Sequence, residues 1–281
     1  MSLASKTREI VNHFEFKFSK SLGQNFLVDQ NILDKIIEAG NLDENSCAVE
    51  IGPGIGTLTQ ELAKKCRKVI AIELDDNLIP VLSETLANFE NIKVIHEDAL
   101  KVDFKKLIEE EGLQNVKVVA NLPYYVTTPI ITKLFTEKPG IDSITVMIQK
   151  EVADRIAAKP GTKEYGSISL LAQYYSNPIK VCKVSSSCFM PNPKVESAVI
   201  KMEILQKPRV KVLDEKLFFR IIRDSFNMRR KTLWNTLKQI GLPDDKMHEA
   251  LEDAGIDPKR RGETLTIEEF AKLSDEIKRK F

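Results

Sequence analysis

The 281 residues carry 42 Lys+Arg against 41 Asp+Glu, a formal net charge of +1, with 42% apolar residues and 13 Phe. That apolar content excludes a disordered chain, and no run reaches the ~18–20 apolar residues of a membrane span. Taken whole, the near-zero charge also speaks against a nucleic-acid partner. The opening stretch, MSLASKTREIVNHF, lacks the apolar core of a secretory signal, so a cytoplasmic protein is expected. Cys47, Cys66, Cys182 and Cys188 form no C-x-x-C pair, and His13, His96 and His248 complete no zinc pattern. Reduced thiols and no metal are expected.

Along the chain, short Val/Ile-rich runs predict strands at Val49–Ile51, Lys68–Leu74, Ile92–His96, Val116–Asn121 and Ser143–Gln149. Helical patterns at Thr57–Cys66, Asn77–Ala87 and Pro129–Phe135 lie between them. This alternation predicts a doubly wound, Rossmann-like α/β sheet. Alternating segments at Ile179–Val184 and Ser197–Leu205 are expected to complete the sheet in antiparallel fashion. From Leu213 onward the pattern is helical, at Leu217–Phe226, Arg230–Ile240, Asp244–Ala254 and Ile267–Lys278. The expected domains are therefore a catalytic body over 1–206 and a small all-α domain over 207–281.

Charge divides unequally between them. Residues 206–281 hold 18 Lys+Arg and 14 Asp+Glu, a net of +4, which leaves 24 against 27, or −3, for the rest. Residues 206–242 alone hold 10 basic and 3 acidic residues, a net of +7. The neutral total conceals a basic stripe, and the argument against nucleic acid falls with it.

Glu50-Ile-Gly52-Pro-Gly54-Ile-Gly56 follows a predicted strand and opens a predicted helix. Glycines there permit a close backbone approach to a ligand at the sheet's C-terminal edge. The spacing is G-x-G-x-G rather than the G-x-G-x-x-G of dinucleotide sites, which favours S-adenosyl-L-methionine (SAM) over NAD. Glu73 ends the second strand, 21 residues after Gly52, where a carboxylate can accept from both ribose hydroxyls. Asp98, just past the third strand, can accept from an adenine amino group.

The fourth strand ends in Asn121-Leu122-Pro123-Tyr124. The N6 amine of adenine is a poor nucleophile because its lone pair is delocalised into the ring. Two acceptors on its N–H bonds, the Asn121 side-chain oxygen and the Leu122 carbonyl, would turn that lone pair toward a methyl sulfonium. Pro123 stiffens the turn, and the Tyr124 ring offers a stacking face to an extruded base. No strong base is needed, since the nitrogen sheds its proton readily once alkylated; orientation and electrostatics carry the rate.

With these segments in view the sequence resembles the ribosomal RNA adenine N6-dimethyltransferases, most closely their bacterial small-subunit branch. The resemblance spans nearly the whole chain. It rests on Phe18-Ser-Lys-Ser-Leu-Gly-Gln-Asn-Phe-Leu27, the glycine loop, Asn121–Tyr124, Phe189-Met-Pro-Asn-Pro-Lys-Val-Glu-Ser197 and Phe226-Asn-Met-Arg-Arg-Lys-Thr-Leu233. It implies that Asn25 and Leu27 close over SAM and that Gly52, Glu73, Asp98 and Asn121 complete the cofactor contacts. It also implies that Phe189 stacks on the target adenine opposite Tyr124. Tyr125, Val126 and Met190 depart from the residues common in the family.

Arg220, Arg223, Arg229, Arg230 and Lys231, with Lys238 and Trp234 nearby, are expected on two helices as an RNA-phosphate surface. By resemblance the substrate is a pair of adjacent adenosines in a hairpin loop near the 3′ end of 16S ribosomal RNA, within the small subunit. A monomer acting in subunit biogenesis is expected. Three other readings stand beside this one: an RNA-binding assembly factor whose methylation is secondary, a large-subunit methyltransferase and, more distantly, an NAD-dependent oxidoreductase.

Overall fold

The computed structural model describes residues 2–16, 18–19 and 23–281. Residues Lys20-Ser21-Leu22 of the Phe18–Leu27 segment lie outside the described residues. In chain order the larger unit contains α1 (Leu3–His13), β1 (Phe26–Leu27), α2 (Gln30–Gly40), β2 (Cys47–Ile51), α3 (Thr57–Ala63), β3 (Lys68–Glu73) and α4 (Leu78–Thr85). There follow β4 (Ile92–His96), α5 (Phe104–Glu110), β5 (Val116–Asn121), α6 (Thr127–Glu137) and β6 (Ser143–Gln149). α7 (Lys150–Ile156) runs across the boundary between the units and α8 (Ser167–Tyr175) belongs to the helical one, after which come β7 (Ser176–Val184), β8 (Phe189–Met190) and β9 (Ser197–Ile204).

Seven strands form one sheet in the order β4-β3-β2-β5-β6-β9-β7. β2 to β6 pair in parallel, while β9 runs antiparallel to β6 from Ser143↔Glu203 to Gln149↔Ser197. All five residues of the central β2 are buried, as a parallel strand covered on both faces requires. Ile32, Leu33 and Ile36 of α2 and Leu58 and Leu62 of α3 share one core with Ala48, Val69, Val119, Met147 and Val199. Asp29 caps α2 by accepting from Ile32 N–H at 3.1 Å, and Asn41 ends it in the left-handed conformation.

Two short strands, β1 and β8, form a separate antiparallel ladder with Phe26 opposite Met190 and Leu27 opposite Phe189. Only sequence-distant pairing reveals this ladder, so local periodicity gives no sign of it.

The helical unit contains α9 (Glu215–Asn227), α10 (Leu233–Leu237), a 3₁₀ turn at Lys238–Ile240, α11 (Asp244–Ala254), a second 3₁₀ turn at Gly262–Thr264 and α12 (Ile267–Lys280). Its composition differs from the expected 207–281. The compact unit is discontinuous, taking in Asp154–Ser176 as well as Leu205–Phe281, while Asn177–Ile204 returns to the larger unit. The 154–176 segment joins the helices through fully buried Tyr165, whose hydroxyl donates to Leu265 O at 3.0 Å, and through the Arg209 guanidinium on Gln173 O at 2.8 Å. Neither partner is local, being 100 and 36 residues away, so no neighbouring residue marks this segment as part of the helical unit.

The expected helix over Arg230–Ile240 begins later, at Leu233. Arg229, Arg230 and Lys231 occupy a turn closed by Lys231 N–H on Met228 O at 2.7 Å. No helix among the described residues is long and apolar enough to cross a membrane.

Candidate active site and basic surface

Strand order reverses between β2 and β5, where a doubly wound sheet opens a crevice at its C-terminal edge. Four expected groups converge there: Gly52 and Gly54 after β2, Glu73 ending β3, Asp98 past β4 and Asn121 ending β5. All line one cleft of about 1110 Å³, open mouth included, together with Asn25, Leu27, Leu122, Pro123 and Tyr124. Gly54 has φ +61°, and a Cβ there would sit 3.0 Å from Phe26 Cε1; a Cβ on Gly52 (φ +70°) would meet Pro123 Cδ at 3.3 Å. The floor of the cleft is therefore bare backbone.

Glu73 is 7% exposed, and its carboxylate is held by three backbone donors. Oε1 accepts from Leu74 and Asp75 N–H at 2.8 Å each, and Oε2 accepts from Gly54 N–H at 3.3 Å. Burial pushes its pKa up and these N–H groups oppose that push. The Asp98 carboxylate is oriented by Leu100 N–H on Oδ1 at 2.9 Å, and no other hydrogen bond among the described residues engages its side chain. Glu50 is 1% exposed, and its Oε2 has no hydrogen-bond partner among the described residues. Burial pushes its carboxyl up to about 8; Thr59 pulls it down and the Glu73 charge pushes it further up.

Carboxylates at successive strand ends, backed by backbone N–H groups at Glu73 and Asp98 and with Glu50 Oε2 unpartnered among the described residues, suit a ligand with ribose hydroxyls, an amine-bearing ring and positive charge. SAM has all three, so the residues present fit it. Among the described residues no group of three or more His, Cys, Asp or Glu side chains is placed to hold a metal ion.

At the reactive end, Asn121 Nδ2 donates to the Asn25 carbonyl at 3.2 Å. Because the facing atom is an acceptor, the amide must present its nitrogen there, which leaves Oδ1 as the free acceptor. The Leu122 N–H is bonded to Met147 O at 3.1 Å, while no donor among the described residues reaches the Leu122 carbonyl. Asn121 Oδ1 and the carbonyl of the next residue, Leu122, are thus both left open as acceptors. The Tyr124 hydroxyl pairs with Ser197 Oγ at 2.7 Å, which fixes the ring. Burial raises the phenol's pKa against the Ser197 contribution, so Tyr124 stays protonated near neutrality and is no general base.

Phe189 differs from expectation. It is 2% exposed, paired with Leu27 in the β1–β8 ladder and packed in the core with Ile32, Leu33 and Val199. It is absent from the cleft lining, where Tyr124 stands. The Pro-rich run after it reads as a surface loop, yet a ladder partner carries this one side chain inward.

Two contacts escaped sequence reasoning. Gln24 Nε2 donates to Asp75 Oδ2 at 2.5 Å, and Asp75 Oδ1 accepts from Asn77 N–H at 3.0 Å and from its side-chain amide at 2.8 Å. Gln24 lies inside the motif that carries the resemblance, and Asp75 lies two residues past Glu73; only the tertiary contact reveals the pair.

The basic residues divide into anchored and free. Arg220 donates to Gln239 O at 2.7 Å and lies 3.7 Å from Asp224, which also pairs with Arg223 at 3.6 Å. Arg229 donates from Nε to Glu263 Oε2 at 3.1 Å and from Nη2 to Lys163 O at 2.5 Å and Tyr165 O at 3.1 Å. Arg230 and Lys231 are exposed, with no ion pair among the described residues. Lys238 pairs with Asp244 at 3.4 Å and lies over the Trp234 ring at 5.3 Å.

Sheet order, glycine floor and paired acceptors together define a SAM-dependent methyltransferase of amines. The chain belongs to the ribosomal RNA adenine dimethylase family, whose model matches residues 15–279. It is 58% identical over 273 residues to the ribosomal RNA small subunit methyltransferase A of Clostridium acetobutylicum, covering 97% of this chain and 98% of the relative. Among solved structures it is similar to a dimethyladenosine transferase from Plasmodium falciparum (TM-score 0.77, 28% identity, covering 88% of this chain and 95% of that one). A 23S rRNA methyltransferase, ErmE, is also similar (TM-score 0.69, 25% identity, 90% of this chain and 100% of that one). The cofactor is SAM, and the activity is that of a ribosomal RNA adenine dimethyltransferase.

Proposed function

We propose that this protein dimethylates N6 of two adjacent adenosines in a hairpin loop near the 3′ end of 16S ribosomal RNA, acting on the small subunit during its biogenesis. The observation that carries the chemistry is the Asn121–Asn25 hydrogen bond, which commits the amide nitrogen and leaves Oδ1 and the Leu122 carbonyl as paired acceptors. The support for the target is the 58% identity, over 97% of the chain, to a small-subunit methyltransferase.

When bound, SAM supplies an electrophilic methyl group. Gly52 and Gly54 give it room, Glu73 and Asp98 accept from its ribose and adenine, and Asn25 and Leu27 cover it from the N-terminal side. Asn121 Oδ1 and Leu122 O take the two N6–H bonds and turn the nitrogen lone pair toward the methyl carbon. Tyr124 stacks on the extruded base. The N6 proton passes to solvent after alkylation. A second transfer meets an amine with one N–H, which either acceptor alone can hold. Arg220, Arg223, Arg230 and Lys231 face the RNA backbone, with Arg229 beside them turned onto the chain. The protein works as a monomer in the cytoplasm, where ribosomal RNA is assembled.

The large-subunit and NAD readings are not favoured, since the 23S enzyme is the more distant relative at 25% identity. The test mixes purified protein and labelled SAM with unmethylated small subunits, and with 23S ribosomal RNA as the contrasting arm, followed by nucleoside analysis. Dimethyladenosine is expected in the small-subunit arm. Its absence from competent subunits, or its appearance only in the 23S arm, would refute the proposal.

A further inference from the structure

Two of Arg229's nitrogens are turned inward onto the chain, which is an odd use for a residue expected to hold phosphate. Its partners are informative. The carbonyls of Lys163 and Tyr165 belong to the 154–176 segment, and Glu263 belongs to the turn before α12. The same segment is fastened twice more, by Gly161 N–H on Glu263 O at 2.8 Å and by the Tyr165 hydroxyl on Leu265 O. Tyr165 itself is fully buried, with its ring edge-on to Phe226 at 5.8 Å. The loop is thus bolted to the turn that carries Arg230 and Lys231.

Residues 159 and 161–164 are nevertheless exposed, and they display Lys159 and Lys163 with no ion pair to either among the described residues. The acidic groups nearby are Glu164 and Glu268, which are exposed, Glu263, which pairs with Arg229 and, at 3.9 Å, with Arg261, and Glu269, which pairs with Arg260; the cations are Lys159, Lys163, Arg229, Arg230, Lys231, Arg260 and Arg261. The cations outnumber them. A surplus of unpaired Lys and Arg on two fixed backbone segments is the electrostatic footprint of a polyanion.

We propose that Lys159 and Lys163 complete the RNA-phosphate surface of the helical unit, and that Arg229 is the positioning residue that holds their loop beside Arg230 and Lys231. This rests on the RNA-binding reading above and enlarges its surface from one chain segment to two. A planar fork that serves carbonyls of the loop and a carboxylate at once is a role for Arg that Lys does not fill.

The test measures binding of the full-length protein to the 3′-terminal 16S hairpin RNA, and to unmethylated small subunits, over a range of salt. SAM calorimetry on each variant checks that the large unit is intact. Lys159→Ala with Lys163→Ala is expected to weaken binding ~10-fold near 0.1 M salt and to lower the slope of log K against log salt by ~1.4–1.8, as for two lost phosphate contacts. Arg230→Ala with Lys231→Ala should do the same. Arg229→Ala should weaken binding and speed tryptic cleavage after Lys163 in the free protein, and Arg229→Lys should restore neither.

If the Arg230/Lys231 pair can be removed without effect, the RNA-binding reading itself fails and the inference falls with it. If that pair matters but the Lys159/Lys163 pair leaves affinity and slope unchanged, only the inference is overturned. Loss on subunits without loss on the hairpin would assign the loop to a ribosomal protein, which also overturns it. Unchanged cleavage in Arg229→Ala would remove the clamp.

Discussion

Glu50 gives the sharpest test of the cleft's electrostatics. The carboxyl is 1% exposed, its Oε2 has no hydrogen-bond partner among the described residues, and burial lifts its pKa from 4.5 to about 8. The Thr59 hydroxyl favours the ionised form and the Glu73 charge opposes it. Between pH 4.5 and about 8 the folded chain retains a proton that the unfolded chain has released. Stability therefore falls as pH rises through that window, by at most about 1.4 kcal/mol per pH unit. Across the whole window the loss has an upper limit of roughly 5 kcal/mol. Glu50→Gln keeps the shape of the neutral acid and cannot ionise, so its contribution is flat. Without SAM the two proteins should unfold at similar urea concentrations at pH 5, diverge up to about pH 8 and run parallel above it, with the variant the more stable. A bound cation favours the ionised carboxylate, so saturating SAM should narrow the gap at high pH. Urea unfolding followed by far-UV circular dichroism reads the difference. Parallel curves for the two proteins from pH 5 to 9 would show that Glu50 is not held neutral by its surroundings.

Asn121→Ala should lower methyl transfer by ~10²–10³-fold, the scale of a lost transition-state hydrogen bond in a closed site, while SAM affinity by calorimetry stays within ~10-fold. Tyr124→Phe loses only the Ser197 hydrogen bond and should cost ~0.5–1.5 kcal/mol in kcat/KM. Tyr124→Ala also loses the stacking face, worth a further ~1–3 kcal/mol; equal losses in the two variants would remove stacking from the role. Gly54→Ala combines a left-handed φ, costing ~1–2 kcal/mol, with a Cβ pressed 3.0 Å from the Phe26 ring, and should lower the melting temperature and weaken SAM binding together. Gln24→Glu sets a carboxylate against Asp75 Oδ2 and should weaken SAM binding at pH 7.5; wild-type affinity there would show that the N-terminal segment does not shape the cleft.

The parallel sheet was legible because its strands are nearly all-buried runs such as Lys68–Glu73 and Ser143–Gln149, bounded by turn residues. The strand-end acids were legible because β–α topology places such positions on one edge. What stayed hidden depends on distant partners. Phe189 sits in a Pro-rich stretch that looks like surface, and only its ladder with Leu27 turns it inward. Residues 154–176 have helical character but no local sign of which core they join; Tyr165 and Arg209 settle that through residues about 100 and 36 positions away. Arg229 shows the same limit in charge. A run of three cations reads as one patch, yet the side chain of its first member reaches Lys163 O and Glu263 while its neighbours' side chains have no such partner among the described residues.

The tertiary contacts also bind the cofactor wall and the reactive end into one mechanical chain. Asp75 N–H supports the Glu73 carboxylate, and the Asp75 side chain holds Gln24. The next residue along, Asn25, presents the carbonyl that orients the Asn121 amide. Leu27, two residues further, is fixed by the ladder to Phe189. Consecutive hydrogen bonds through Asp75, Gln24 and Asn25 thus couple the Glu73 carboxylate to the Asn121 amide. The coupling suits an enzyme that must load SAM anew for every methyl it transfers. Buried Phe189, paired with Leu27 and sharing its core, anchors the far end of the segment that runs from Gln24 to Leu27.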